Sequence, residues 1–110
     1  MLPNALLAVI EPSKLKDYLL SGNHPVGRFK AAVFFSMGYT QENWTRLRND
    51  LLQIAASGTV TLGEKNQYGQ KYIVSGSLQG PNGRIGRFRT VWLLEDASSR
   101  PKFITAYPAE

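Results

Sequence analysis

The stretch QKYIVSGSLQGPNGRIGRFRTVWLLE, residues 70–95, decides the fold class of this chain. Its two flanking runs, QKYIVSGSL and RFRTVWLLE, alternate with a period of two and are rich in β-branched and aromatic residues, which is typical of strands. Between them lies Pro81-Asn82-Gly83, and Asn-Gly is a strong signal for a tight turn because both residues tolerate positive φ. The stretch therefore predicts two neighbouring antiparallel strands joined by an exposed hairpin.

Segments on either side extend this pattern into an α+β fold. TVTLG (59–63) and KFITAY (102–107) predict two more strands, so that a four-stranded antiparallel meander fills residues 59–108. The first half instead has three- and four-residue spacing and predicts three helices. They are Lys14–Leu20 after Pro12-Ser13, Arg28–Met37 ended by Gly38, and QENWTRLRNDLLQIAAS after an N-cap at Thr40. We expect these helices, with Phe29, Phe34 and Trp44, to pack on one face of the sheet.

Composition limits what the chain can be. A length of 110 residues suits a single domain spanning residues 1–110. Cysteine is absent, which excludes disulfides, thiolate nucleophiles and sulfur-rich zinc sites. The apolar start MLPNALLAVI has no basic region and is too short to span a bilayer, so we expect a cytoplasmic protein without membrane contact. The net charge of +5 favours an anionic partner such as RNA.

One loop carries the chain's single histidine. In Asn23-His24-Pro25-Val26-Gly27 the histidine precedes a predicted helix start, where unpaired backbone amides attract anions. Arg28 and Lys30 follow at once, so that an imidazole and two cations meet at a corner suited to phosphate. The alternative is that the histidine or Asn23 caps the helix and the cations are solvated.

A second basic stretch lies on the third predicted strand. Arg84, Arg87 and Arg89 fall within seven residues that contain no acid. Alternation places Arg87 and Arg89 on one face of the strand and Phe88, Thr90, Trp92 and Leu94 on the other. Arg89 and Thr90 therefore share a site only if a bulge or strand end re-aims one of them.

The aromatic face of these strands has two interpretations. Phe88, Trp92 and Phe103 either form the core or stack nucleic-acid bases, and large aromatics favour the core in a small domain. The last strand is expected to place Phe103, Thr105 and Tyr107 on one side. No carboxylate pair, metal-ligand cluster or phosphate-binding loop is recognisable, so no metal or cofactor is predicted.

Several motifs together resemble an uncharacterised bacterial domain family. They are LPNA, Y-L-L-x-x-x-HPVG-R-x-K, YGQKYIVSG, GPNGR, RTVW and TAYP, and they cover nearly the whole chain. The family occurs in hypothetical proteins and at the C-termini of phage-related and polymorphic-toxin proteins. The order of elements also resembles the barnase, EndoU, colicin and RelE group of metal-independent ribonucleases.

The resemblance implies a function and a set of residues. By analogy with those ribonucleases, His24, Lys30, Arg89 and Thr90 would be catalytic, and Arg28 and Arg87 would contact nucleic acid. The first hypothesis is a toxin-like ribonuclease that cleaves RNA by 2′-OH transesterification and has a small antitoxin or immunity protein as its partner. The second hypothesis is a non-catalytic module that binds a protein, as a phage component or as half of a two-gene pair. The sequence leaves the oligomeric state open.

Overall fold

Four antiparallel strands form one sheet in the computed structural model, which describes residues 1–24 and 27–109, with the backbone alone at residues 27 and 29. The strands are β1 (Thr59–Asn66), β2 (Gly69–Gln79), β3 (Ile85–Leu94) and β4 (Lys102–Pro108). Their spatial order is β1-β2-β3-β4, so each strand pairs with its neighbour in sequence. The predicted meander is confirmed.

Helical segments precede the sheet, as predicted. A short α1 (Pro12–Lys14) continues directly into a π-helix (Leu15–Leu19), and α2 (Gly27–Ser36) and α3 (Trp44–Ser57) follow. The α+β class is thereby confirmed. Helix α3 begins one turn later than its sequence suggests, because Asn43 rather than Thr40 is its N-cap. Thr40 and Asn43 instead exchange two hydrogen bonds between side chain and backbone, at 2.7 and 3.2 Å.

The core lies between the helices and one face of the sheet. Helix α3 contributes Leu47, Leu51 and Ile54, all buried, and these pack over the β2 face that carries Val74. Phe34 of α2 stacks on Phe88 of β3, with ring centroids 5.2 Å apart. Trp92 and Phe103 meet edge to face at 5.3 Å. The core interpretation of the aromatic stripe is therefore correct. The Phe29 side chain lies outside the described residues.

A bulge in β4 changes the facing expected for that strand. Trp92 pairs with Phe103 and Val91 pairs with Thr105, so Ile104 is the extra residue. Beyond it the alternation is shifted by one residue, and Ala106 rather than Thr105 enters the core. The expectation that Phe103, Thr105 and Tyr107 share a face is wrong for this reason.

The hairpin between β2 and β3 is exposed and also closes the end of α2. Gly83 has φ +89° and is exposed, which confirms the predicted turn, although Asn82 does not adopt positive φ. Asn82 donates from its side chain to the Ser36 carbonyl at 2.9 Å and from its backbone to the Met37 carbonyl at 3.2 Å. The Arg84 guanidinium also donates to the Ser36 carbonyl, at 3.2 Å. The hairpin therefore supplies donors to carbonyls that the end of the helix leaves without intrahelical partners.

The N-terminal segment covers one edge of the sheet. A 3-10 helix (Ala5–Leu7) leads to Val9, which forms a parallel bridge with Lys102 of β4. The Val9 amide donates to Pro101 at 2.9 Å, and the Phe103 amide donates to Val9 at 3.0 Å. The β4 edge is therefore partly paired. Within the described residues, every helix is too short or too polar to cross a bilayer.

Candidate functional site

A cavity of about 620 Å³ opens between the first helical segment and β4. The bulged strand contributes Ile104 and Thr105, and the helical segment with the loop after it contributes the remaining side chains. Of the residues that the structure describes, seven line the cavity: Ser13, Lys14, Asp17, Tyr18, His24, Ile104 and Thr105. This wall mixes hydroxyl, imidazole, carboxylate and ammonium groups with one aliphatic side chain, which is a composition that can orient a polar ligand.

The π-helix positions Tyr18 at this cavity. Leu15 and Leu19 are fully buried and fix the segment to the core. The Leu20 amide donates to the Leu15 carbonyl at 2.7 Å, which is the five-residue spacing of a π turn. Tyr18 is half-buried between these anchors, and its phenol oxygen reaches the β4 residue Thr105 at 3.4 Å.

Lys30 of α2 contacts the same pair of hydroxyl groups. Its Nζ donates to the Tyr18 phenol oxygen at 2.7 Å and to Thr105 Oγ1 at 2.9 Å. The ammonium lies 5.2 Å from the Tyr18 ring centroid, and together with the short N–O distance this places it at the oxygen end rather than over the ring face. An ammonium has three N–H donors. Counting contacts with the described residues, one donor of Lys30 therefore remains for a ligand.

Neutral oxygens, rather than carboxylates, hold this cation. In residues 1–24 and 27–109 the ion pairs found are Arg46–Asp50 and Lys102–Glu95, and neither includes Lys30. Because no neighbouring carboxylate neutralises it within 4 Å in this part of the chain, the positive charge of Lys30 is available to an anion.

The electrostatics of Tyr18 follow from its neighbours. Burial raises the pKa of the Tyr18 phenol, but this is outweighed by the hydrogen bonds with Lys30 and Thr105 and by the positive charges of Lys30 and Lys14. Together they leave the pKa of Tyr18 below its ordinary value. The phenol is therefore a better proton donor than a free tyrosine.

His24 lies against Tyr18 at the cavity wall. The imidazole is half-buried and meets the Tyr18 ring edge to face, with centroids 5.0 Å apart and an interplanar angle of 71°. Its carbonyl accepts a hydrogen bond from the Arg28 amide at 3.1 Å, which ties the histidine to the beginning of α2. Pro25 and Val26 of the predicted loop lie outside the described residues. His24 and Lys30 therefore both contact Tyr18, from separate segments.

The arginines of β3 lie on the opposite face of the sheet from the core. Arg87 and Arg89 are exposed, as their alternation predicts, and Arg89 pairs with Tyr107 across β4. Arg87 contacts only Ser77, at 3.5 Å, among the contacts of the described side chains. Neither arginine lines the cavity. Arg28 is exposed at the start of α2.

Thr90 occupies the core instead of the cavity. It is fully buried, donates through Oγ1 to the Val74 carbonyl at 2.8 Å and accepts the Trp92 indole N–H at 2.7 Å. Both hydrogen-bonding functions of the hydroxyl are thereby used inside the protein. Tyr18, His24, Lys30 and Thr105 form a contiguous group beside the cavity, which we call the cavity cluster. Of the four residues predicted as catalytic, only His24 and Lys30 belong to it.

Two members of this cluster have no clear signal in the sequence. Tyr18 lies on the apolar face of a short helical segment. Thr105 lies 75 positions after Lys30 in the sequence, on a strand whose bulge changes which side chains point to which face of the sheet. The described residues contain no group of three or more His, Asp or Glu side chains arranged to hold a metal ion.

Comparison with known proteins gives a family and a structural neighbour. Residues 1–110 match the family model described as Domain of unknown function (DUF6883). A chain of the contact-dependent growth inhibition toxin–immunity protein complex from Klebsiella pneumoniae 342 has a similar fold, with a TM-score of 0.72 and 19% sequence identity over 97% of each chain. No curated protein matches the sequence. At this identity the structural likeness establishes the fold alone.

Proposed function

We propose that this chain, which belongs to the DUF6883 family, is a toxin-like, metal-independent ribonuclease that cleaves single-stranded RNA by 2′-OH transesterification. The observation that carries the proposal is the contact of Lys30 with the neutral hydroxyl oxygens of Tyr18 and Thr105, at 2.7 and 2.9 Å. Both of these residues line a cavity whose wall also includes His24. A cation without a carboxylate partner and an adjacent imidazole are the groups that this reaction requires.

The roles follow from the chemistry of each group. His24 removes the proton of the ribose 2′-OH, whose oxygen then attacks the neighbouring phosphorus. Lys30 directs its third N–H to a phosphate oxygen and stabilises the charge that accumulates in the pentacovalent phosphorane. The P–O5′ bond then breaks, leaving a 2′,3′-cyclic phosphate and a free 5′-hydroxyl.

Exposed cations on the sheet support an RNA substrate. Arg87 and Arg89 lie on the face that the helices leave uncovered. Pairing across β2, β3 and β4 places Ser75, Arg89 and Tyr107 in one row and Ile73, Val91 and Thr105 in the next, with no carboxylate in either row. We assign this face to phosphate contacts with the RNA on either side of the cleaved bond.

The cleavage test uses a 5′-labelled single-stranded RNA of mixed sequence in the presence of EDTA. The expected product ends in a 2′,3′-cyclic phosphate, and His24→Ala and Lys30→Ala each slow its formation by ~10²-fold or more. Lys65→Ala, which removes an exposed lysine of β1, is the matched control and should retain the wild-type rate. Wild-type rates in both cavity variants would reject the assignment of the site.

The binding test measures the affinity for the same RNA as a function of salt, using His24→Ala to prevent turnover. Arg87→Ala and Arg89→Ala should each reduce the slope of log K against log salt by roughly 0.7, the value for one phosphate contact on a single strand. Arg46→Ala, which removes an arginine of α3, is the control. An unchanged slope in both strand variants would show that RNA phosphates do not contact this face of the sheet.

A second candidate function is a non-catalytic module that binds a cognate protein. It is favoured by the structural neighbour, which comes from a complex of a toxin with its immunity protein, so that a chain of this fold takes part in such a pair. Failure of the wild-type protein to cleave any RNA tested, together with RNA binding that is weak and insensitive to salt, would select this candidate.

A further inference from the structure

We propose that Tyr18 is the general acid of this site and gives its phenol proton to the 5′-oxygen that leaves the phosphorus. The inference rests on the ribonuclease function proposed above. Cleavage requires two opposite proton transfers, one from the 2′-oxygen and one to the 5′-oxygen, and each needs its own group. If His24 accepts the first proton, the second must come from another side chain at the cavity.

The geometry identifies Tyr18 as that side chain. Its ring packs against His24 and its oxygen is 2.7 Å from Lys30 Nζ, so the base, the acid and the cation are contiguous. The other hydroxyl beside Lys30 belongs to Thr105, an ordinary aliphatic alcohol and therefore a far weaker acid than a phenol. Within the cluster, Tyr18 is the side chain suited to donate.

The direction of the hydrogen bonds leaves the phenol proton available. An ammonium can only donate, so the Tyr18 oxygen is the acceptor in its bond with Lys30 and its own hydrogen is not used there. The remaining contact, to Thr105 Oγ1, is long at 3.4 Å. The phenol proton can therefore turn to a ligand in the cavity at little cost.

The charge balance of the step also fits this cluster. As the P–O5′ bond breaks, the phenol O–H bond breaks with it and the proton forms the new 5′-hydroxyl. The phenolate that remains lies beside the Lys30 ammonium, and the cavity wall also carries the charges of Lys14 and Asp17. The lowered pKa of Tyr18 reflects stabilisation of the phenolate by the positive charges of Lys30 and Lys14 before any ligand reacts. The proton that His24 has gained then restores the phenol through solvent.

The test compares two leaving groups in the same enzyme. One substrate set is the four dinucleoside monophosphates NpU, whose 5′-oxygen must be protonated to leave. The other is the corresponding set of nucleoside 3′-(4-nitrophenyl phosphates), whose 4-nitrophenolate leaves without a proton. Tyr18→Phe should lower kcat on the dinucleoside substrates by ~10²-fold or more and change kcat on the nitrophenyl esters by less than about threefold.

A further readout and a control variant separate catalysis by Tyr18 from support of Lys30. The pH profile of kcat on NpU should lose its alkaline descending limb in Tyr18→Phe, because that limb reports the ionisation of the acid. Tyr68→Phe, which alters an exposed tyrosine in the turn between β1 and β2, is the matched control and should behave as wild type.

Each outcome decides the assignment. Equal loss on both substrate types would show that Tyr18 only supports Lys30, and no loss on either would exclude it from the reaction. In both cases the ribonuclease function would stand, since the wild-type protein is active. Failure of the wild-type protein on both substrate types would instead overturn the ribonuclease function, and the role of Tyr18 with it.

Discussion

Replacing Thr90 with valine tests whether its hydroxyl belongs to the core or to a phosphate site. Valine has nearly the same shape, so the substitution removes one oxygen without opening a cavity. The Trp92 indole N–H then loses its acceptor at 2.7 Å and the Val74 carbonyl loses a donor at 2.8 Å, all in a fully buried setting. A buried donor left unsatisfied costs ~1–3 kcal/mol, and the carbonyl adds a smaller amount.

We therefore expect Thr90→Val to lower the free energy of unfolding by about 2–3 kcal/mol. For a domain of this size that corresponds to a fall in Tm of roughly 10 °C. Urea unfolding followed by Trp fluorescence should show a lower midpoint with an unchanged m value. Thr90→Ser keeps the hydroxyl and serves as the control. A loss below ~0.5 kcal/mol in Thr90→Val would refute the core assignment and return Thr90 to the list of candidate phosphate ligands.

Two further predictions concern the fold. Gly80→Ala should destabilise the protein by ~3 kcal/mol or more in the same unfolding assay, because the new Cβ would lie 2.0 Å from the Met37 carbonyl oxygen; Gly22→Ala, with open space around it, should stay within ~0.5 kcal/mol of wild type. Burial, with the hydrogen bond to Asp50 and its negative charge, raises the pKa of Tyr39 well above the ordinary value of a tyrosine. The unfolded chain loses this proton near pH 10 while the folded protein keeps it, so stability is full below pH ~10 and falls above it by up to ~1.4 kcal/mol per pH unit. Tyr39→Phe should show a shallower alkaline decline, and an equally steep one would contradict this assignment.

The order and type of the elements could be predicted because local patterns specify them. The period-two runs and the turn at Asn82-Gly83 locate β2 and β3, and spacing of three and four locates α3 through Leu47 and Leu51. The predicted ends and register of the elements were less accurate where hydrogen bonds of a side chain or an extra residue change the local backbone. Asn43 takes the N-cap position in place of Thr40, and alternation alone does not reveal the bulge at Ile104.

The candidate site could be predicted only in part. His24 and Lys30 are six positions apart around the start of one helix, so the local sequence predicts that they lie close together. Tyr18 and Thr105 join them only through the packing of the first helical segment on β4, a long-range relation without a local signature. Thr90 follows an arginine in sequence, but the pleat of β3 turns it into the core.

The hairpin that closes α2 also sets the position of Lys30. Helix α2 has ten residues, so it acts as a rod roughly 15 Å long. Its far end is held by Asn82 and by the close approach of Gly80 to Met37. Its near end carries Lys30, whose ammonium contacts two residues of the cavity wall, Tyr18 and Thr105. A shift of the loop between β2 and β3 would therefore slide or tilt the rod and move the ammonium relative to the phenol. We therefore expect Gly80 and Asn82, which do not line the cavity, to influence where the Lys30 ammonium lies.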